Sequence, residues 1–288
     1  MKKISLRKHR VNRSTGGDLV IFIILFLFGA FMFLPMLYAI STSFKPADEL
    51  WVYPPRFFVR NPTLKNFKDL FTILDSSNIP FSRYIFNTVF VSVIGTFGHV
   101  IFSSMAAYAI CKFRFRFKNI LFHIVVLSLM FNTAVTAIPN YIIMSKLGLV
   151  DTLASLVIPA FGSSLGLYLM KQFIEQMIPD GILEAARIDG ANEFLIFFKI
   201  AMPMVRPAWL TLIIFSFQGL WNLSDTTYIY REDLKPLNYA LHQILAGGVT
   251  RVGASGAATV LMMLIPIILF VCTQSQIVET LATSGMKD

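Results

Sequence analysis

Glu184, Arg187 and Asp189 fall close together in the stretch EAARIDGANEFLIFFKIAMP, residues 184–203, which lies between two long apolar segments. Their chemistry is charge pairing. Glu184 and Arg187 are three residues apart, so both sit on one helical face and Arg187 is expected to hold Glu184 in place. Ala185 and Ala186 favour helix strongly and keep the helix thin enough for another surface to approach closely. The Asp189-Gly190 step breaks the helix, with Gly190 free to take the positive φ at which helices commonly end. The stretch carries too much charge to cross a bilayer and predicts a short helix-turn-helix on the surface of a membrane protein. Its greasy second half, Phe194, Leu195, Phe197, Phe198 and Ile200, is expected to lie back against membrane helices.

Uncharged polar residues inside the apolar segments form a second group: Asn132, Thr133, Thr136 and Asn140, then Ser163 and Ser164, then Gln218, Trp221 and Asn222. Amides beside an aromatic plate suit an uncharged sugar, whose hydroxyls they bond and whose ring stacks on the indole. They equally suit hydrogen bonds between packed helices. Gln218, Trp221 and Asn222 fall within about one helical turn. Seven residues of the stretch 184–203, Glu184, Ala185, Ala186, Arg187, Asp189, Gly190 and Pro203, are expected to form a rigid elbow for another surface to engage. Five more, Asn132, Thr136, Gln218, Trp221 and Asn222, are expected to be the ones that meet such a sugar.

Other chemistry is missing from the sequence. No GxxxxGK[ST] loop occurs, so the chain does not bind ATP in the usual way. The apolar segments hold no Asp, Glu, Lys or Arg in their interiors, although ion-coupled carriers usually bury such residues. His99 and His123 each stand alone without a second metal ligand and read as packing residues. Cys111 and Cys272 are too few for a disulfide framework or a metal site. With no acid-base or nucleophile-base arrangement in any cavity, the chain reads as a non-catalytic subunit.

The elements that carry these residues follow from composition. Hydrophobic residues make up 56% and charged ones 14% of the 288, against roughly half and a quarter in globular proteins. The class is all-α and polytopic in a membrane. The net charge of +9 gathers beside apolar segments, which points to membrane orientation rather than nucleic acid. Residues 1–18, with Lys2, Lys3, Arg7, Lys8, Arg10 and Arg13, predict a cytoplasmic N-terminal segment. Residues 19–83 predict a first span to Phe44, kinked at Pro35, and an external loop with short helices. Residues 84–273 predict five further spans at about 84–110, 120–143, 153–170, 207–224 and 254–273, giving six in all. Lys112, Arg114, Arg116 and Lys118 in the loop after the second span mark the cytoplasmic side. Parity then puts the loop 171–206 in the cytoplasm, with 274–288 as a cytoplasmic tail. Pro139 and Pro159 are expected to break their helices, and Gly162 and Gly166 form a small-xxx-small pair suited to close helix packing.

Glu184-Ala185-Ala186, Gly190, Ile200 and Pro203 resemble in type and spacing the EAA motif of ATP-binding-cassette importer permeases. Met202 stands where that family usually has leucine, a nearly volume-neutral change. The phrase PPRFFVRNPTLKNFKDLF after the first span is similar to the maltose-transporter branch. So are Asn87 at the head of the second span, Ala106-Ala107-Tyr108-Ala109 at its foot, and a tail with Gln274 and Ser284-Gly285-Met286-Lys287. The resemblance to these MalG-like carbohydrate permeases implies a prokaryotic cell membrane with both termini cytoplasmic. It also implies a second, homologous permease, an extracytoplasmic solute-binding protein, and two ATP-binding subunits that hold ATP and Mg and couple to this chain through Glu184, Ala185, Ala186, Arg187, Asp189, Gly190 and Pro203, this chain holding no cofactor. The residues leave other cargoes and, in a different class, a secondary carrier as alternatives.

Overall fold

The computed structural model describes residues 15–75, 79–224 and 227–284. The basic residues from Lys2 to Arg13 and the end of the tail, 285–288, lie outside the described residues. No strand occurs among those described. Helix α1 spans Thr15–Phe44, α2 Ala47–Leu50, α3 Lys65–Asp75 and α4 Phe81–Lys112. After them come α5 Lys118–Ser128, α6 Thr133–Lys146, α7 Ala154–Phe161 and α8 Ser164–Met177. The middle of the chain holds α9 Asp180–Ile188, α10 Glu193–Ile196, α11 Met202–Met204 and α12 Arg206–Trp221. Finally, α13 covers Leu237–Leu245 and α14 Val252–Ser284.

Among the described residues, four stretches are long and apolar enough to cross a membrane: Gly16–Phe44, Phe81–Lys112, Ala154–Met177 and Val252–Cys272. The pair Glu193–Met204 and Arg206–Trp221, bent by 82°, makes a fifth if counted as one span. The third expected span is not one helix. It divides into α5 and α6 because Asn132 turns extended (φ −73°, ψ 143°) and its side chain accepts the Ala134 N–H at 2.9 Å, capping α6. Averaged apolarity cannot register a cap. Pro139 lies inside α6, and Pro35 inside an unbroken α1. At the far end α14 continues as helix to Ser284, past the expected boundary at 273.

Helix α4 is the centre of the bundle, packed against α7, α8, α12 and α13. Apolar burial gives little drive between helices in lipid, so close fit and internal hydrogen bonds must supply it. Gly166 of α8 provides the fit: a Cβ there would sit 2.5 Å from His99 Nε2 and 2.7 Å from Ser103 Oγ, both on α4. Gly162, its expected companion, instead ends α7. His99 Nδ1 donates to the Ala160 carbonyl at 3.0 Å and is buried, the packing role expected of it.

At the end of the bundle opposite residues 184–203, side-chain amides tie the loops to the helices. Asn66 donates to the carbonyls of Ser43 and Lys45 at 2.9 and 2.7 Å. Asn87 donates to those of Asp233 and Lys235 at 2.8 and 3.0 Å, and Asn238 donates to that of Trp221. By contrast, most of α1 from Leu19 to Leu34 is exposed, and only its last turns, with Ser41, Thr42 and Ser43 buried, pack on α14 and α3.

Candidate functional site

The surface elbow at residues 180–196 is built from the bundle outward. Leu183 and Ala186, three residues apart on α9, are buried in a cluster with Met170, Ile174 and Ile178 of the α8 end and Phe197 beyond the turn. That registration leaves Glu184 and Ala185 on the exposed face. The helix then closes with two backbone bonds: Ala191 N–H to the Ala186 carbonyl and Gly190 N–H to the Arg187 carbonyl, both 3.0 Å. This is the Schellman pattern, and it requires the residue after the cap to be left-handed. Gly190 has φ +82°, as its position in the sequence predicts. Asn192 then caps α10 by accepting the Leu195 N–H at 2.8 Å.

The ion pairing differs from the sequence expectation. Arg187 Nε donates to Glu193 Oε1 at 2.7 Å rather than to Glu184. The Gly190 turn brings Glu193 back over the end of α9, where Tyr108 of α4 also donates to its Oε2 at 3.1 Å. An i,i+3 pair on a helix surface is worth only about 0.2–0.5 kcal/mol and does not compete. The Arg187 hydrogen bond is the chief reason the Glu193 carboxyl is held below its ordinary range. At the other end of α9, Lys112 donates to the Ile178 carbonyl at 2.6 Å and to Asp180 Oδ1 at 2.7 Å. That contact lowers the Asp180 carboxyl in turn. Beside these pairs lies a polar cleft of about 700 Å³ lined by Arg114, Lys118 and Glu184 among others.

The second half of the elbow only partly lies back on the bundle. Ile196, Phe197 and Ala201 are buried, whereas Phe194, Leu195 and Phe198 are exposed in the single chain. The chain widens into a π turn at Phe197–Ala201, where Met202 N–H bonds the Phe197 carbonyl. Pro203 follows immediately. Proline cannot donate, and its ring crowds the carbonyl four residues back, so the wider turn accommodates it. Pro207 repeats the interruption just after Val205, where the 82° bend falls.

The expected cargo residues are dispersed. Asn132 is occupied as the α6 cap, and Thr136 is half-buried one turn on. Gln218 and Asn222 are exposed at the end of α12, whose main packing partners are α4, α14 and α8. Trp221 is not an open plate. It is 5% exposed, stacks on Phe217 and donates Nε1–H to the Met262 carbonyl at 3.1 Å, joining α12 to α14. Thr133 and Asn140 stand on α6, while Ser163 caps α8 by accepting the Gly166 N–H at 3.1 Å. Ser164 accepts from Ser128 of α5 at 2.5 Å.

Sequence reasoning missed Lys112, Tyr108 and Glu193 as partners in the elbow. Each lies 66 to 85 residues from its cross-bundle contact. The available signal was Tyr108 and Lys112 at i,i+4 in the last turn of α4, which puts both on one side of its end.

Residues 99–280 match the family described as binding-protein-dependent transport system inner membrane component. The chain is 32% identical over 218 residues to Protein LplC of Bacillus subtilis (strain 168), covering 75% of this chain and 71% of that protein. It is 30% identical over 230 residues to the polygalacturonan/rhamnogalacturonan transport system permease protein YtcP of the same organism, covering 79% and 78%. Its fold is similar, at a TM-score of 0.77 and 23% identity, to a chain of a bacterial ABC transporter involved in the import of the acidic polysaccharide alginate. That match covers 92% of this chain and 99% of the other.

Proposed function

Because the chain belongs to the family of binding-protein-dependent transport system inner membrane components, we propose that it is a permease subunit of an ATP-driven carbohydrate importer, taking up mechanical work through the elbow at residues 180–196. The observation that carries this reading is the Gly190 turn, which buries Leu183 and Ala186 while presenting Glu184 and Ala185 outward on a stiff, capped helix. Ala185 lets an ATPase surface approach closely, and Glu184 meets a cation on it. ATP and Mg are held by that ATPase, hydrolysis occurs there, and this chain gates the path together with a second, related permease. The elbow end faces the cytosol, with both termini on that side. A binding protein delivers the glycan at the opposite end.

An oligosaccharide is the favoured cargo because the relative YtcP is named a permease protein of a polygalacturonan/rhamnogalacturonan transport system. Exposed amides at Gln218 and Asn222 fit sugar hydroxyls, and Trp221 holds their helix in place. The test is coexpression with candidate ATPase, permease and binding-protein partners, then ATP hydrolysis and uptake in proteoliposomes. Oligogalacturonides, arabino-oligosaccharides, alginate oligosaccharides and phosphate are supplied in turn. Stimulation by one glycan is expected. Stimulation by phosphate alone refutes the carbohydrate assignment, and uptake without any ATPase refutes the importer.

A further inference from the structure

Two polar ties run from the last turn of α4 to the two ends of α9. Lys112, with its side chain 7% exposed, reaches both the Ile178 carbonyl and Asp180 just before and at the start of α9. Tyr108, one turn earlier, reaches Glu193, which Arg187 grips at the end of α9. The Tyr108 ring is itself fixed edge-on by Phe113 at 5.9 Å and Phe197 at 5.4 Å. Position i and position i+4 on α4 therefore hold the beginning and the end of one nine-residue helix.

The alternative is that these are incidental surface pairs. Exposed ion pairs have little value, because two long side chains must be ordered in high dielectric. Lys112 is not of that kind. Its ammonium is shielded by the protein and bonds a backbone carbonyl as well as a carboxylate, so removing the charge leaves a buried acceptor unpaired. Tyr108 is likewise buried, and its hydroxyl meets a carboxylate already oriented by a guanidinium. The polar ties also complement the apolar contact of Leu183 and Ala186, which by itself resists separation but not sliding or rotation. Hydrogen bonds are directional and fix both.

We propose that Lys112 and Tyr108 are positioning residues that lock the elbow to α4, so that displacement of α9 by the ATPase is passed to α4 and, through it, to α7, α8 and α12. This rests on the permease reading above, although not on the identity of the cargo. No other route from α9 into the bundle combines directional contacts at both of its ends among the described residues.

The test uses the whole complex, with Cys111 and Cys272 replaced by serine and a fluorophore on Phe97→Cys, whose side chain is exposed halfway along α4. MgATP with orthovanadate is the probe, and no sugar is needed. In the parent complex, trapping the nucleotide is expected to change the signal. Lys112→Met is expected to copurify the ATPase at the parent level and to lower the fraction that responds by about ten-fold, the factor a lost charge-assisted hydrogen bond gives. Lys112→Arg is expected to restore the response, since its guanidinium can donate to both acceptors. Tyr108→Phe keeps the ring and is expected to give a smaller loss, with the double variant below either. An undiminished response in both Lys112→Met and Tyr108→Phe overturns the proposal. ATPase copurification lost in proportion to the signal also overturns it, because Lys112 then acts in docking alone. A parent complex that retains no ATPase instead refutes the permease reading.

Discussion

Replacing Gly190 isolates the backbone contribution to the elbow. A Cβ added there meets nothing within 4 Å, so no steric clash enters, and the whole effect comes from φ at +82°. For an alanine in the left-handed region the cost is about 1–2 kcal/mol, with asparagine lower because its side chain bonds locally. That cost shifts the ratio of closed to open elbow by about 5- to 30-fold. Trypsin reads the shift directly, since Arg187 must leave its helix to enter a protease cleft. When reclosing outpaces cleavage, the rate of cutting follows the open population. Cleavage after Arg187 in the purified protein, followed by mass spectrometry, is therefore expected to rise in the order Gly, Asn, Ala, Val at position 190. The alanine variant is expected to be cut about 5- to 30-fold faster than the parent. Equal rates for Gly190→Ala and the parent, or faster cutting of Gly190→Asn than of Gly190→Ala, would refute the reasoning.

Further outcomes follow from other contacts. Gly166→Ala drives a methyl into His99 Nε2 and Ser103 Oγ. It is expected to destabilise the bundle by about 1–3 kcal/mol in a detergent melt, with partial relief from Ser103→Gly. Trp221→Phe removes the donor to Met262 and is expected to cost about 0.5–1.5 kcal/mol without altering glycan preference in the uptake panel; a changed preference would restore Trp221 as a sugar contact. The Glu193 carboxyl is depressed in the folded protein chiefly by Arg187. Its contribution to stability is therefore present above the unfolded carboxylate pKa and is lost as pH falls through the lower, folded one. Hydrogen exchange across 180–196, corrected for intrinsic rates, is expected to accelerate on acidification in that window, and Glu193→Gln is expected to flatten the Glu193 part of the response.

The helical class and the elbow were legible because both are written in local spacing. Three Glu-Ala-Ala residues, a glycine at a helix end and a proline at a bend each act within a few residues of themselves, and Gly190 has the conformation its neighbours demand. Asn87 was singled out in the right place, although its partners, the Asp233 and Lys235 carbonyls, come from a loop far along the chain. The division of α5 from α6 was hidden because one capping side chain outweighs an apolar average. The packing of Trp221 was hidden for a related reason: an indole beside two amides looks alike in sequence whether its face is open or stacked on Phe217. The Arg187 partner depended on where the turn aims Glu193. That direction is a three-dimensional property of the closed elbow and not of the intervals between charges.

The ties at the two ends of the bundle differ in their chemistry. Asn66, Asn87 and Asn238 use neutral amides against carbonyls, while Lys112 with Asp180 and Arg187 with Glu193 use full charges, Asp180 largely exposed and Arg187 and Glu193 each partly so. Mobile ions weaken the second kind far more than the first, within a Debye length of about 8 Å at physiological ionic strength. At the amide end the ion pairs Arg231–Asp233 and Lys235–Glu232 join residues only two and three apart, so added electrolyte loosens them within one short segment while the amide ties between distant elements keep their hold. At the elbow end the links that reach across from α4 are themselves charged, so added salt acts on the joint itself.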